Sequence, residues 1–322
     1  MVTAPRNETT EWLLAGDPAI RWQVLNDLLG APESAVERQR GRIAREGWGA
    51  RLLARQDPEG TWAGGQTSDR GLYSPKWTST TYTMLTLRDF GLPPNNRQAR
   101  KACRLLLEEG AQPDGGFDYG IWAGWRGQSE TCVTGMILSI LTYFGYEDDH
   151  LDRAADNLLN QQMPDGGWNC RRRMGATHSS VHTTISVLEA LRQYELTRRR
   201  KVRAVRAAQE RGREFLLVHR LFRSHTTGEI IKPEFLRFYF PPRWHYDILR
   251  GLDYFQAVNA AADQRLADAI EVVRQARRAD GRWRMEYRYR GKTYFQIERL
   301  GAASRWNTLR ALRVLKWWEN GN

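Results

Sequence analysis

One short pattern recurs along this chain and limits what it can fold into. A Gly-bearing turn ends on an aromatic residue, a loop follows, and then an apolar helix begins near Thr or Ser. The turn reads QDPEGTW at 56–62, QPDGGF at 112–117, QQMPDGGW at 161–168 and ADGRW at 279–283. Segments 78–90, 130–144, 179–194 and 304–318 are the apolar helices that follow. The stretches 17–30 and 241–255 resemble them without a turn of this kind in front. Between them lie charged, amphipathic segments at 34–56, 96–109, 149–162, 198–218 and 265–277. A helix that is apolar nearly all round must be buried, whereas an amphipathic one can face water on one side. Repeated alternation of the two kinds at a period of about 50 to 60 residues marks a repeat architecture.

The predicted fold is therefore all-α. It is a single (α/α)6 toroid over 1–322, with an inner barrel of six helices starting near 18, 78, 130, 179, 243 and 304. An outer ring of five to six helices surrounds it. Such a ring closes on itself rather than extending as an open solenoid. KTYFQI (292–297) is the best strand candidate and predicts at most a short hairpin edge.

Composition narrows the function classes. Hydrophobic residues make up 41% and aromatics 11%, enough for a large core and against wholesale disorder. The apolar run 132–146 is too short to span a bilayer, and the first residues lack the apolar core of a signal peptide. Three cysteines suit a reducing compartment. A cytoplasmic protein is the expectation, with peripheral membrane contact left open. The net charge of +12 favours an anionic partner, yet it is carried almost wholly by arginine on outer helix faces. No zinc-finger spacing or aromatic RNA-binding signature accompanies it, so nucleic acid is not the expected partner. P-loop, GxSxG and dinucleotide fingerprints are also absent.

Runs such as LLARQDPEGTW, LLLEEGAQPDGGF and NLLNQQMPDGGW resemble the glutamine-tryptophan repeat of squalene and oxidosqualene cyclases. A degenerate form of the same repeat occurs in protein prenyltransferase β subunits. The resemblance covers most of the chain and speaks for fold more than for chemistry. Gln56, Gln161, Trp62, Trp168 and Trp283 are read as structural: Gln bonds backbone at a helix end and Trp packs between layers.

A second likeness lies at the helix starts. In the prenyltransferases a GGF turn and a basic loop lead to Asp-x-Cys, and a His ligand opens the next inner helix. Here Gly115-Gly116-Phe117 and a loop holding Arg126 lead to Glu130-Thr131-Cys132. One repeat later, Cys170 and Arg171-Arg172-Arg173 lead to His178 and His182. Aligning Leu141 with Leu191 sets Cys132 opposite His182. The resemblance implies zinc on Glu130, Cys132 and His182. The chain departs from the family pattern in carrying Glu for Asp and in offering Cys170 as a competing ligand, and His178 could replace His182. Zinc accepts such a set, and three protein ligands leave a fourth position for a thiolate or water. The resemblance also implies a diphosphate held by Arg126, Arg171, Arg172 and Arg173, since Arg suits bidentate phosphate contact. It leaves open whether a partner subunit is needed.

Arg243, Trp244 and His245 in PPRWHYD, with Trp306 in SRWNT, stand at further inner-helix starts and predict walls of an apolar cavity. Asp247 or Glu130 would serve a metal-independent cyclase as a buried acid, with His245 beside it. The DxDD pattern of class II cyclases is absent. DDHLD at 148–152 is similar to the magnesium-diphosphate pattern of class I terpene synthases, but it opens an outer helix and reads as an N-cap. Three functions are thus expected, in order: a zinc-assisted transferase or cyclase of isoprenoid-like substrates, a metal-independent cyclase, and a non-catalytic binding module.

Overall fold

The computed structural model describes residues 7–64, 67–120, 127–198 and 200–321. About 53% of the described residues are helical, and the only strands among them are two residues long, which makes the fold all-α.

The helices are α1 (Glu8–Leu14), α2 (Pro18–Gln23), α3 (Glu33–Arg40), α4 (Gly47–Leu53), α5 (Thr80–Phe90), α6 (Arg97–Gly110), α7 (Thr131–Tyr143), α8 (His150–Asn160), α9 (Val181–Arg198), α10 (Val202–Val218), α11 (Ile248–Ala257), α12 (Ala267–Gln275) and α13 (Arg305–Asn320). A π-helical turn, Val24–Leu28, extends α2.

Two helix classes are plain in their burial. In α7, Thr131 and every residue from Val133 to Thr142 are buried, so it has no solvent face. In α6 the buried positions are Ala99, Ala102, Cys103, Leu106, Leu107 and Gly110, one stripe at helical spacing. The apolar helices neighbour one another in sequence order: α5 on α7, α7 on α9, α9 on α11, α11 on α13, and α13 on α2. Trp22 Nε1 donates to Phe90 O (2.8 Å) and Gln23 Nε2 to Asp89 O (3.2 Å), tying α2 to α5. The amphipathic helices pack outside, α6 against α5 and α7, α8 against α7 and α9, α12 against α11.

The aromatic turns lock each pair together by one repeated device. Trp62, Trp168 and Trp283 each send the indole N–H to the carbonyl ten residues back, on Leu52, Leu158 and Val273 (2.7–2.8 Å). Their backbone N–H groups donate to Thr80, Thr184 and Thr308 Oγ1, on the following apolar helix, at 3.0 Å each. Phe117 has no ring N–H; it keeps the backbone bond to Thr134 (2.9 Å), and the Tyr119 hydroxyl bonds Leu106 O (2.7 Å) instead. The turn glutamine of the third repeat is Gln162, which donates to Gly166 O and Ala208 O, rather than Gln161. Thr184→Val keeps the shape but strands the buried Trp168 N–H. A loss of about 1–3 kcal/mol is expected in urea unfolding, and an unchanged midpoint would count against this reading of the turns.

The structure departs from the expected boundaries in four places. Segment 34–56 is two helices, because Gly47 turns with φ +65° and the Asp17 carboxylate, accepting Trp48 N–H at 2.8 Å, fills the place of a Cβ. The fifth apolar helix begins at Ile248 rather than near 243; Pro241, Pro242 and Arg243 at φ +55° keep the chain non-helical until Asp247 caps it. The outer segment begins at Val202, with Arg198 ending α9. The strand falls outside 292–297: β1 (Trp283–Arg284) pairs antiparallel with β2 (Ala303–Ser304). No helix among the described residues is long and apolar enough to cross a membrane.

Candidate functional site

Glu130 sits at the N-cap of α7, where its side chain makes no capping hydrogen bond to the helix. Its Oε1 accepts the Cys132 thiol at 2.7 Å. Cys170 comes from the loop before α9, where its backbone N–H reaches Thr183 Oγ1 (3.4 Å). The carboxylate oxygen and the two sulfurs lie within 4.8 Å of one another, the one such ligand group among the described residues. The thiols shift in opposite directions. The hydrogen bond with Cys170, then burial and the Glu130 charge, push Cys132 well above the ordinary thiol range. The same hydrogen bond from Cys132 lowers Cys170 despite its burial, with Thr183 and Arg171 assisting. Cys132 is thus the thiol that holds its proton longer, and Cys170 the one that loses it more readily. Two sulfurs and one carboxylate match zinc in ligand type.

His182 stands apart from that group. Its Nδ1 accepts the Tyr246 backbone N–H at 2.9 Å. Its ring meets Phe235, Trp244 and His245 edge-on, with centroids 5.3–5.9 Å away. Burial, with Lys232 and Arg250 nearby, lowers its pKa to about 3. A neutral imidazole whose Nδ1 accepts carries its proton on Nε2, so neither nitrogen offers a metal its lone pair. His178 is exposed and lines a different groove of about 630 Å³ with His182, His219, His225 and Lys232.

The arginine triplet is divided. Arg171 is exposed and acts electrostatically on Cys170. Arg172 bonds Asn160 O (2.7 Å) and Gln161 Oε1 (3.2 Å), and Arg173 pairs with Asp114 at 2.6 Å. Asp114 also accepts the Ser129 N–H, so Arg173 braces the preceding turn. Arg126 lies outside the described residues. In DDHLD, Asp152 is held by Tyr194, Arg198 and Arg200, and the Asp148 side chain accepts the His150 N–H.

The aromatic segment between these helices is continuous. Tyr82 lies against Tyr73 and Trp77, and both tyrosines feel the charges of Glu130 and Cys132. The Arg243 guanidinium lies 4.2 Å from the Trp77 ring centroid, and burial brings its pKa down to about 9. Trp244 stacks on His245, which stacks on Tyr289; burial holds His245 neutral, with a pKa of about 2. Trp306 stacks on Phe240 at 3.9 Å. Asp247 is wholly buried; its Oδ1 caps α11 through Arg250 N–H, and Oδ2 has no hydrogen-bond partner among the described residues. Burial, outweighing Arg310 and Arg250, raises its pKa to about 6.

Sequence reasoning missed a second constellation. Arg88, Glu189, Arg250, Asp253, Arg310 and Arg313 line a cavity of about 470 Å³ reached by all the apolar helices. The signal was present: each is a charge inside a segment whose place in the repeat marks it as a buried helix.

No protein-family profile matches the chain, and no curated protein does. A solved structure described as a protein from Actinoplanes is similar over 94% of this chain and 90% of that chain, at 15% identity and a TM-score of 0.46. Likeness at that level carries no argument about fold or chemistry.

Proposed function

We propose that this chain is an α/α toroid enzyme of the squalene-cyclase and prenyltransferase kind. It holds zinc on Glu130, Cys132 and Cys170 and acts on an isoprenoid or similarly apolar substrate with an anionic head. The toroid rests on the order of helix neighbours, which runs from α5 through α13 to α2 and returns to α5 through Trp22 and Gln23. The observation that carries the chemistry is the convergence of one carboxylate and two sulfurs within 4.8 Å, from the start of α7 and the loop before α9.

Zinc bound there would hold thiols deprotonated and keep one position for a substrate thiolate or water. The chain's own groups do the rest. Tyr73 and Tyr82, with Trp77 edge-on to Tyr82, offer an apolar, π-rich wall beside Cys132. Lys76, within 5.3 Å of the Trp244 ring, and Arg171 supply positive charge for an anionic head. His182 positions the start of α11 through Tyr246 rather than ligating.

Metal analysis of protein purified without chelator tests the centre. About one zinc per chain is expected, and metal-free protein with all three thiols titratable would overturn it. The buried Asp247, with a pKa near 6 and an unpartnered oxygen, favours a second reading as a metal-independent cyclase acid. Cyclised product from a polyprenyl substrate in chelator would select that reading.

A further inference from the structure

The charged cavity is a second site, and its ionic pairing says what it takes. Five arginines line it (Arg88, Arg192, Arg250, Arg310 and Arg313), against four carboxylates, Asp27, Asp89, Glu189 and Asp253. Four of the arginines are matched. Arg88 pairs with Asp89 (2.8 Å) and Glu189 (3.6 Å), and Arg250 grips Glu189 through both Nε and Nη2 (2.7 and 2.8 Å). Arg310 meets Asp253 at 3.3 Å, and Arg313 meets both Asp253 (2.5 Å) and Asp27 (3.0 Å).

Arg192 is different. Its guanidinium donates to a neutral acceptor, Ala257 O (2.5 Å), and makes no ion pair among the described residues. It is half-buried, and burial lowers its pKa in spite of Tyr254, Glu189 and Asp253 nearby. A partly desolvated cation that makes no direct ion pair is costly to hold, and a bound oxyanion would relieve that cost.

The remaining lining decides the kind of anion. The four carboxylates offset four of the five arginines, so the lining carries one net positive charge and its complement is a single negative charge rather than a phosphate dianion or a diphosphate. Trp22, Tyr143, Phe240 and Trp306 supply apolar wall, and a volume of about 470 Å³ is in the ordinary range for a small organic ligand. We infer that this cavity binds a monocarboxylate with an apolar or aromatic body, seated on Arg192, at a site separate from the Glu130–Cys132–Cys170 centre.

Sodium benzoate is the probe, titrated into the full chain at constant ionic strength and followed by calorimetry and by tryptophan fluorescence. Saturable binding is expected, weakened at least about tenfold in Arg192→Gln and less in Arg192→Lys, with chelator-treated protein binding as tightly as untreated. Inorganic phosphate should bind more weakly than benzoate. Should Arg192→Gln fail to fold, phenylglyoxal labelling of the unaltered protein gives a second readout: Arg192 is modified ahead of the other four arginines and is shielded by benzoate. Absence of saturable binding, equal affinity in Arg192→Gln, phosphate binding as tightly as benzoate, or Arg192 labelling that benzoate leaves unchanged would each overturn the assignment. None of these results bears on whether zinc is bound, so this proposal and the metal centre fail independently.

Discussion

If Glu130, Cys132 and Cys170 hold zinc as proposed, Cys132→Ala is expected to strip it from the chain. With Glu130 and Cys170 alone remaining, two ligands cannot hold a zinc site that needs at least three. Metal content should fall from about one per chain to background, with affinity reduced by about 100-fold or more. Folding should survive. Cys132 is only partly buried, so losing one sulfur from the helix start costs about 1 kcal/mol. Circular dichroism would show the same helix content beside a collapsed metal stoichiometry. Zinc uptake by the unaltered protein should also fall steeply as pH drops. Its binding must displace the proton that Cys170, burial and Glu130 hold on Cys132. A variant that keeps its zinc would remove Cys132 from the centre.

The second large effect is a gain. Asp247 has its folded pKa raised from 3.8 to about 6 by burial. A raised carboxylate contributes its stability below the unfolded pKa and loses it as pH climbs through the folded value, because the unfolded chain then ionises more readily. Asp247→Asn removes that penalty and keeps the cap, since Asn accepts the Arg250 N–H as Asp does. Stability should match the parent near pH 3 and exceed it by about 3 kcal/mol above pH 7, the difference opening between pH 4 and 6. Urea unfolding at several pH values reads this directly. Glu189 and Asp253, lowered by their arginines against burial, work the other way and lose their contribution as pH falls. If Asp247 is a catalytic acid, the stabilised variant is also inactive, a trade common at active sites. Equal stability across the pH range would show that Asp247 is not held in the strained state described.

Much of the architecture was legible because its determinants are local. A Gly turn, an indole that reaches ten residues back and a Thr on the next helix can be read from one stretch of chain. The same holds for Glu130 and Cys132, two positions apart at a helix start. Where the reading slipped, a side chain from elsewhere had intervened: the Asp17 carboxylate breaks segment 34–56 by occupying the turn at Gly47. Arg171, Arg172 and Arg173 look alike in sequence, yet a carbonyl and an aspartate from earlier turns absorb two of them.

The sequence by itself determined the alternation of buried and half-buried helices, the aromatic turns between them, and the kinds of residue at each helix start. Tertiary structure alone decided which of those residues meet. A helix apolar on every side has no preferred face, so its rotation is set by its neighbours and not by its own pattern. That rotation turns His182 toward the Tyr246 N–H, while the loop ahead of α9 brings Cys170 to Glu130 and Cys132. It also pairs four arginines with carboxylates and leaves Arg192 with no ion pair among the described residues.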